Sequence, residues 1–261
     1  MHLFYIFRGS LLANLTYRTW MISASITNII YIIITYYLWR AIYAGTETLN
    51  GLSFEQSFLY LSLASTFFSV FKTFVDQGMS RTIVTGEIAN YLLKPIEHQA
   101  FMMADNLGRI ATNILFIVIP AFALVNGVIG IPIHLNMGIL VFIPSVILAY
   151  KISFLIDYLV GCIAFYTESI WGIFTVKDSL IMVLSGVAIP FAFFPEELQE
   201  MLTWSPFVAI YHTPVSLLLG NLDTQAVWQG LANQAIWLVI IFVLSRTFFH
   251  HSIKQLTING G

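Results

Sequence analysis

Charge is what this chain has least of: Asp, Glu, Lys and Arg together make up 9% of its 261 residues, where soluble domains carry about 25%. Eleven basic and 13 acidic residues cannot clothe the water-facing surface of a chain this long, so lipid must cover much of it. A net charge of −2 gives no basic footprint for nucleic acid. The single cysteine, Cys162, excludes an intramolecular disulfide and a cysteine-built metal cluster. No G-x-x-x-x-G-K-[ST] phosphate loop, H-E-x-x-H or G-x-S-x-G occurs. The histidines His2, His98, His134, His212, His250 and His251 do not fall beside carboxylates at ligand spacing. Glu196 and Glu197 near His212 are the nearest thing to a catalytic constellation.

Apolar residues, at 58%, are what is abundant. A helix needs about 20 predominantly apolar residues to cross the hydrocarbon core. Six runs qualify, near 20–39, 54–75, 109–129, 137–160, 173–194 and 228–248. The fold class expected is all-α integral membrane, a single transmembrane domain over 1–261. The first run starts at Trp20 and is too long for a signal-peptide core, so no cleavable leader is expected. Lys and Arg are retained on the cytoplasmic side. With the amino terminus inside, that side holds Arg8, Arg18, Lys72, Arg81, Lys94, Arg109, Lys177, Arg246 and Lys254, against Arg40 outside. Both termini are therefore expected in the cytoplasm. Ahead of the first run, Leu3, Phe4, Phe7, Leu11 and Leu15 share one side of a helix, as in a segment lying in the membrane interface.

The stretch TGEIANYLLKPIEHQ, residues 85–99, is out of place in so apolar a chain. At 100° per residue, Ile88, Tyr91, Leu92, Pro95 and Ile96 form one face and Glu87, Asn90, Lys94, Glu97 and His98 the other, with Leu93 the exception. Pro95 has no N–H for the carbonyl of Tyr91. The pattern predicts two short helices meeting at an elbow, the first capped by Thr85 and running to about Leu93, the second with Pro95 at its first position and Glu97 near its third.

Three further features carry candidate chemistry. Ser62, Ser65, Thr66, Ser69 and Thr73 make a hydroxyl stripe on the second run, read as a substrate-path lining or as close helix packing. Lys151 and Asp157 are intramembrane charges on different faces of the fourth run, so each needs a partner elsewhere. Residues 195–220, with bracketing prolines and periodic apolar positions, are expected to dip into the outer side of the membrane as a lid, a position open only to helical or buried backbone.

The run NYLLKPIEHQAFMMADNLG resembles the cytoplasmic loop of ATP-binding-cassette (ABC) type 2 permeases, through Leu92, Leu93, Pro95 and Gly108. LSGVAIPFAFFPEELQEMLTWSPFVAIYHTPVSLLLGN looks like that family's fifth span and re-entrant outer hairpin, through Ser185, Gly186, Pro190, Phe194, Pro195, Pro206, Phe207, Pro214 and Gly220. The resemblance implies six transmembrane helices, an amino-terminal interfacial helix, cytoplasmic coupling helices and an outer helical hairpin. It further implies a non-enzymatic permease of an ABC exporter in a bacterial inner membrane, dimerised with an identical or paralogous permease. No cofactor is expected in this chain. ATP and Mg would belong to ATPase subunits docked on Glu87, Asn90, Tyr91, Leu92, Lys94 and Pro95. A hydrophobic, lipid-linked, peptide or drug-like substrate suits the greasy path. An intramembrane enzyme and a non-transporting scaffold are the competing classes.

Overall fold

The computed structural model describes residues 2–16, 18–133, 138–220 and 223–255; His134 and the start of the fourth predicted run lie outside them. Among these residues, five helices are long and apolar enough to cross a membrane: Arg18–Ile42, Phe54–Val84, His98–Ile129, Ile139–Phe165 and Thr224–Gln255. Helices prevail because hydrocarbon offers no partner for a backbone N–H or C=O, so each segment must satisfy its own.

Helix α1 (His2–Thr16) packs along α6 (His98–Asn113). The predicted apolar side of α1 divides: Phe7 and Leu11 turn inward, whereas Leu3, Phe4 and Leu15 remain exposed. Gly108 sets the approach, since a Cβ there would fall 2.7 Å from Ser10 Cβ and 2.8 Å from the carbonyl oxygen of Phe7. Ser10 Oγ donates to the Asp105 carbonyl at 2.7 Å, locking the register.

The first long helix, α2 (Arg18–Ile42), is followed by a hairpin of β1 (Thr48–Leu49) and β2 (Leu52–Ser53). Ser53 then starts α3 (Phe54–Phe71) with a capping box, its Oγ accepting from the Gln56 N–H at 3.2 Å and its own N–H donating to Gln56 Oε1 at 2.9 Å. The second span does not run straight through. It breaks over 72–74 and resumes as α4 (Val75–Val84), with Phe74 in the left-handed region at φ 57°, ψ 39°. Residues of the third span brace the break: Asn113 Nδ2 donates to the Val70 carbonyl at 2.9 Å, and Asn106 Nδ2 to the Thr73 hydroxyl at 2.5 Å.

After α5 (Ile88–Leu92), α6 continues as one helix through α7 (Ile119–Ala123), with wide π turns at Ile114–Val118 and Leu124–Ile129. Pro120 gives no N–H to the turn before it, which accounts for the first of these. Helix α8 (Ile139–Gly161), carrying Pro144, lies at the centre of the core with Ile152, Leu155 and Tyr158 almost fully enclosed.

The fifth predicted run, 173–194, is not one helix. Helix α9 (Trp171–Leu184) spans 14 residues and stops at Ser185, short of the length that crosses hydrocarbon. Gly186 then turns at φ 83°, and the Tyr60 hydroxyl occupies the space its Cβ would need. The chain returns through α10 (Glu196–Thr203), α11 (Pro206–Ile210) and α12 (His212–Leu219), and Gly220 closes α12 at φ 70°. The last long helix, α13 (Thr224–Ser252), is capped by Asp223. It is stitched in by amides: Gln234 Nε2 donates to the carbonyls of Ser145 at 3.1 Å and Ala209 at 2.8 Å, and Asn233 Nδ2 to those of Thr203 and Ser205. Inside a membrane such bonds hold helices that lipid gives no hydrophobic reason to associate.

Overpacking a closed contact typically costs about 1–3 kcal/mol. Gly108→Val is expected to lower the thermal midpoint of the detergent-solubilised protein and to open α1 to limited proteolysis, while Gly9→Val, which meets nothing within 4 Å, leaves both unchanged.

Candidate functional site

The segment between α4 and α6 turns at different residues than the sequence pattern predicts. Thr85 ends α4 instead of capping a new helix: its N–H and Oγ1 both donate to the Arg81 carbonyl, at 3.0 and 2.9 Å. Gly86 follows at φ 75°, a glycine C-cap whose stop signal outweighs the capping preference of Thr85. The elbow helix α5 is thus only Ile88–Leu92, preceded by Glu87 with no side-chain cap bond. Helix α6 begins at His98, with Glu97 in the cap position, so Pro95 is not its first residue and Glu97 not its third. Tertiary contacts move that start. Glu97 Oε1 pairs with Arg246 Nη1 of α13 at 3.1 Å. The buried His98 ring, expected on the polar face, stacks on Phe249 at 5.1 Å and meets the Tyr158 hydroxyl at 3.0 Å.

The elbow is clamped from behind and bare in front. Ile88 is fully buried. Tyr91 is half-buried, its ring edge-on to Phe101 at 5.1 Å, and Lys94 Nζ lies 4.2 and 4.4 Å from the centroids of Tyr91 and Phe101. Lys94 is therefore held on its own chain's rings. Glu87, Asn90 and Pro95 are exposed, Leu92 is 36% exposed and Leu93 84%. Beside this face, between the elbow and the end of α13, Ile96, Tyr158, His250 and Ile253 help to line a cavity of about 200 Å³.

Where α4, α8 and α9 meet lies a charge cluster whose pairing the sequence does not display. Lys177 Nζ of α9 meets Asp157 Oδ1 of α8 at 2.5 Å, Asp76 Oδ2 of α4 at 2.7 Å and Asp178 Oδ1 at 3.0 Å. The other oxygen of Asp178 takes Lys72 Nζ, at the break in the second span, at 3.2 Å. Asp157 thereby finds the external partner its position demands, while Lys151 is half-buried and makes no ion pair among the described residues. The helices here are nearly in contact, for a Cβ on Gly161 would stand 2.9 Å from Met79 Cβ.

The hydroxyl stripe is inside the subunit. Thr66 Oγ1 bonds to the Ser62 carbonyl at 2.6 Å and reaches Asn28 Oδ1 of α2 at 3.4 Å, Asn28 Nδ2 reaches Ser69 Oγ at 3.3 Å, and Ser65 Oγ bonds to the Ser62 carbonyl at 3.1 Å. Ser62 and Thr66 also face a cavity of about 40 Å³ lined by Val118, Ala121 and Val125 of the third span. Two residues before the stripe, the Tyr60 hydroxyl and His212 Nδ1 meet at 2.9 Å, whereas Glu196 and Glu197 are exposed on α10. No group of three His, Cys, Asp or Glu side chains placed to hold a metal occurs among the described residues.

A family model described as ABC-2 family transporter protein matches residues 29–260. The chain belongs to that family, and it is a multi-pass membrane protein. Family membership implies association with an ABC ATPase subunit. No curated protein matches the chain.

Removing Lys177 would leave Asp76, Asp157 and Asp178 crowded without their shared cation. Breaking a buried ion pair costs about 3–5 kcal/mol. Lys177→Met is expected to lower the midpoint of thermal unfolding in detergent accordingly, and Lys177→Arg to retain most of it; an unchanged midpoint in Lys177→Met contradicts the role given to the cluster.

Proposed function

We propose that this chain is the permease subunit of an ABC exporter and that the 85–99 elbow is where a separate ATPase subunit docks. The observation that carries this reading is the pairing of a rigid back with a bare apolar front: Ile88 is buried, while Leu92 and Leu93 present themselves to whatever lies outside. A short helix in that state suits a groove in a partner, with exposed leucines as anchors and Glu87 and Asn90 at the rim. Tyr91 and Lys94 support the elbow's shape, and Pro95 keeps α5 and α6 from merging. ATP and Mg would be held by the ATPase.

In this reading the lysine-rich side, including the elbow and both termini, is cytoplasmic, and the membrane is a bacterial inner membrane. Helix α9 is too short to cross alone and is extended by the packed stretch 185–194 to make the sixth crossing, and α10 to α12 form the outer re-entrant hairpin, helical and packed as backbone at that depth must be. Two permeases, identical or paralogous, enclose the path. Ser62, Ser65, Thr66 and Ser69 are its candidate lining, in a conformation that parts α3 from α2. The cargo is hydrophobic, lipid-linked or peptide-like. Nucleotide-driven closure of the ATPases moves the elbow, and the packed helices convert that movement into alternating access.

The test is copurification of the ATPase from mild detergent. Leu92→Asp with Leu93→Asp is expected to lose the ATPase while inserting into the membrane normally, and Leu93→Asp alone to weaken capture at least tenfold. Retention of the ATPase by the double variant excludes docking at this face.

A further inference from the structure

The break in the second span opens a third, larger cavity, bordered by Thr73, Phe74 and Val75. It measures about 580 Å³ and lies among the start of α2, the first turns of α4 and the middle of α6. Sites that hold small organic ligands run from about 300 to 1,000 Å³. Its lining is more polar than that of the other cavities and includes Trp20, Gln77, Arg81, Asp105 and Arg109.

Two guanidinium groups border it against one carboxylate. Asp105 engages Arg109 Nε alone, at 3.3 Å, and the Arg109 side chain stays 47% exposed. Arg81 is exposed and its side chain has no ion-pair or hydrogen-bond partner among the described residues. Trp20 is 64% exposed, with its ring edge-on to Phe74 at 6.2 Å, and it stands at the opening turn of a 25-residue membrane-length helix. Tryptophan at such a position marks the level of lipid headgroups, and basic pockets between transmembrane helices at that level bind anionic headgroups. A fork of two arginines matches phosphate oxygens.

We infer that this cavity binds the phosphate headgroup of an anionic phospholipid from the leaflet on the elbow side, with Arg81 and Arg109 on the phosphate and Trp20 beside the glycerol. The assignment does not depend on ATPase docking; only the naming of that leaflet as cytoplasmic follows from the orientation proposed above. An acidic protein segment would need a route from water, but Trp20 opens the site toward the first long helix, most of whose surface is uncovered. Lipid is the occupant at hand. Because the cavity is walled by α4, just past the break, its occupant holds α4 against α2 and α6.

The test uses the full chain purified and placed in nanodiscs of phosphatidylcholine with phosphatidylglycerol, some of it brominated on the acyl chains near the headgroup. Brominated phosphatidylglycerol is expected to quench tryptophan emission more than brominated phosphatidylcholine at equal fraction, and Trp20→Phe to abolish the difference. Arg81→Gln with Arg109→Gln is expected to cut retained phosphatidylglycerol, counted by mass spectrometry after detergent exchange, by about tenfold, with Arg81→Lys intermediate. Glycerol 3-phosphate at millimolar concentration is expected not to displace the lipid. Equal quenching by both lipids in the wild-type protein overturns the inference, and so does full retention by the double-arginine variant. Displacement by glycerol 3-phosphate alone assigns the site to a water-soluble phosphate and overturns the lipid assignment. Loss of quenching on adding an acidic protein partner overturns it in favour of that partner.

Discussion

One ammonium group, that of Lys177, ties together α4, α8 and α9. It has three protons to donate, and three carboxylates receive them, from α4, from α8 and from its own neighbour Asp178. Without it, burying Asp76 and Asp157 side by side would set two like charges against each other in a medium that screens them poorly. Lys72 adds a second cation from the broken stretch of the second span. The break is therefore fastened by charge and by the amides of Asn106 and Asn113.

That arrangement explains how an elbow of five helical residues can be more than a loop. Helix α4 leads directly into it, and Asp76 holds α4 to Lys177 of α9 and through it to Asp157 of α8, while the close pass at Gly161 brings α4 against α8 directly. From the other side, Glu97 and His98 anchor the start of α6 to α13 and α8. A push on Leu92 and Leu93 is received by two helices that are each fixed to the core. At the break that precedes α4, Phe74 is a non-glycine residue held in the left-handed region, which costs about 1–2 kcal/mol.

Much of this was legible in the sequence, because hydropathy tracks what lipid demands of a helix. The starts and ends of α2 and α13 lie within a few residues of the apolar runs. The third span was not legible in full: its first 11 residues, His98 to Gly108, alternate polar and apolar positions because they dock on α1 and α13, and a hydropathy window takes such a stretch for loop. The 173–194 run misled for the opposite reason. Apart from Lys177 and Asp178 it is predominantly apolar, but it is interrupted at Ser185 and Gly186, where the Tyr60 hydroxyl takes the space that a side chain at 186 would need. The charged residues could be flagged one by one as costly in a membrane, yet Lys177 stands 101 residues from Asp76 and 20 from Asp157. No helical period joins positions so far apart, and only the folded packing brings them into contact.

The central claim is that the elbow and the helices around Lys177 move as one body. It is tested most directly by pulsed electron-resonance distances between spin labels at Asn90 and Trp171, both exposed, in the complex with its ATPase. The distribution is expected to be narrow, to stay the same on trapping with ATP, and to broaden in Lys177→Met. An elbow-to-α9 distance that shifts with nucleotide in the wild-type complex would contradict the account.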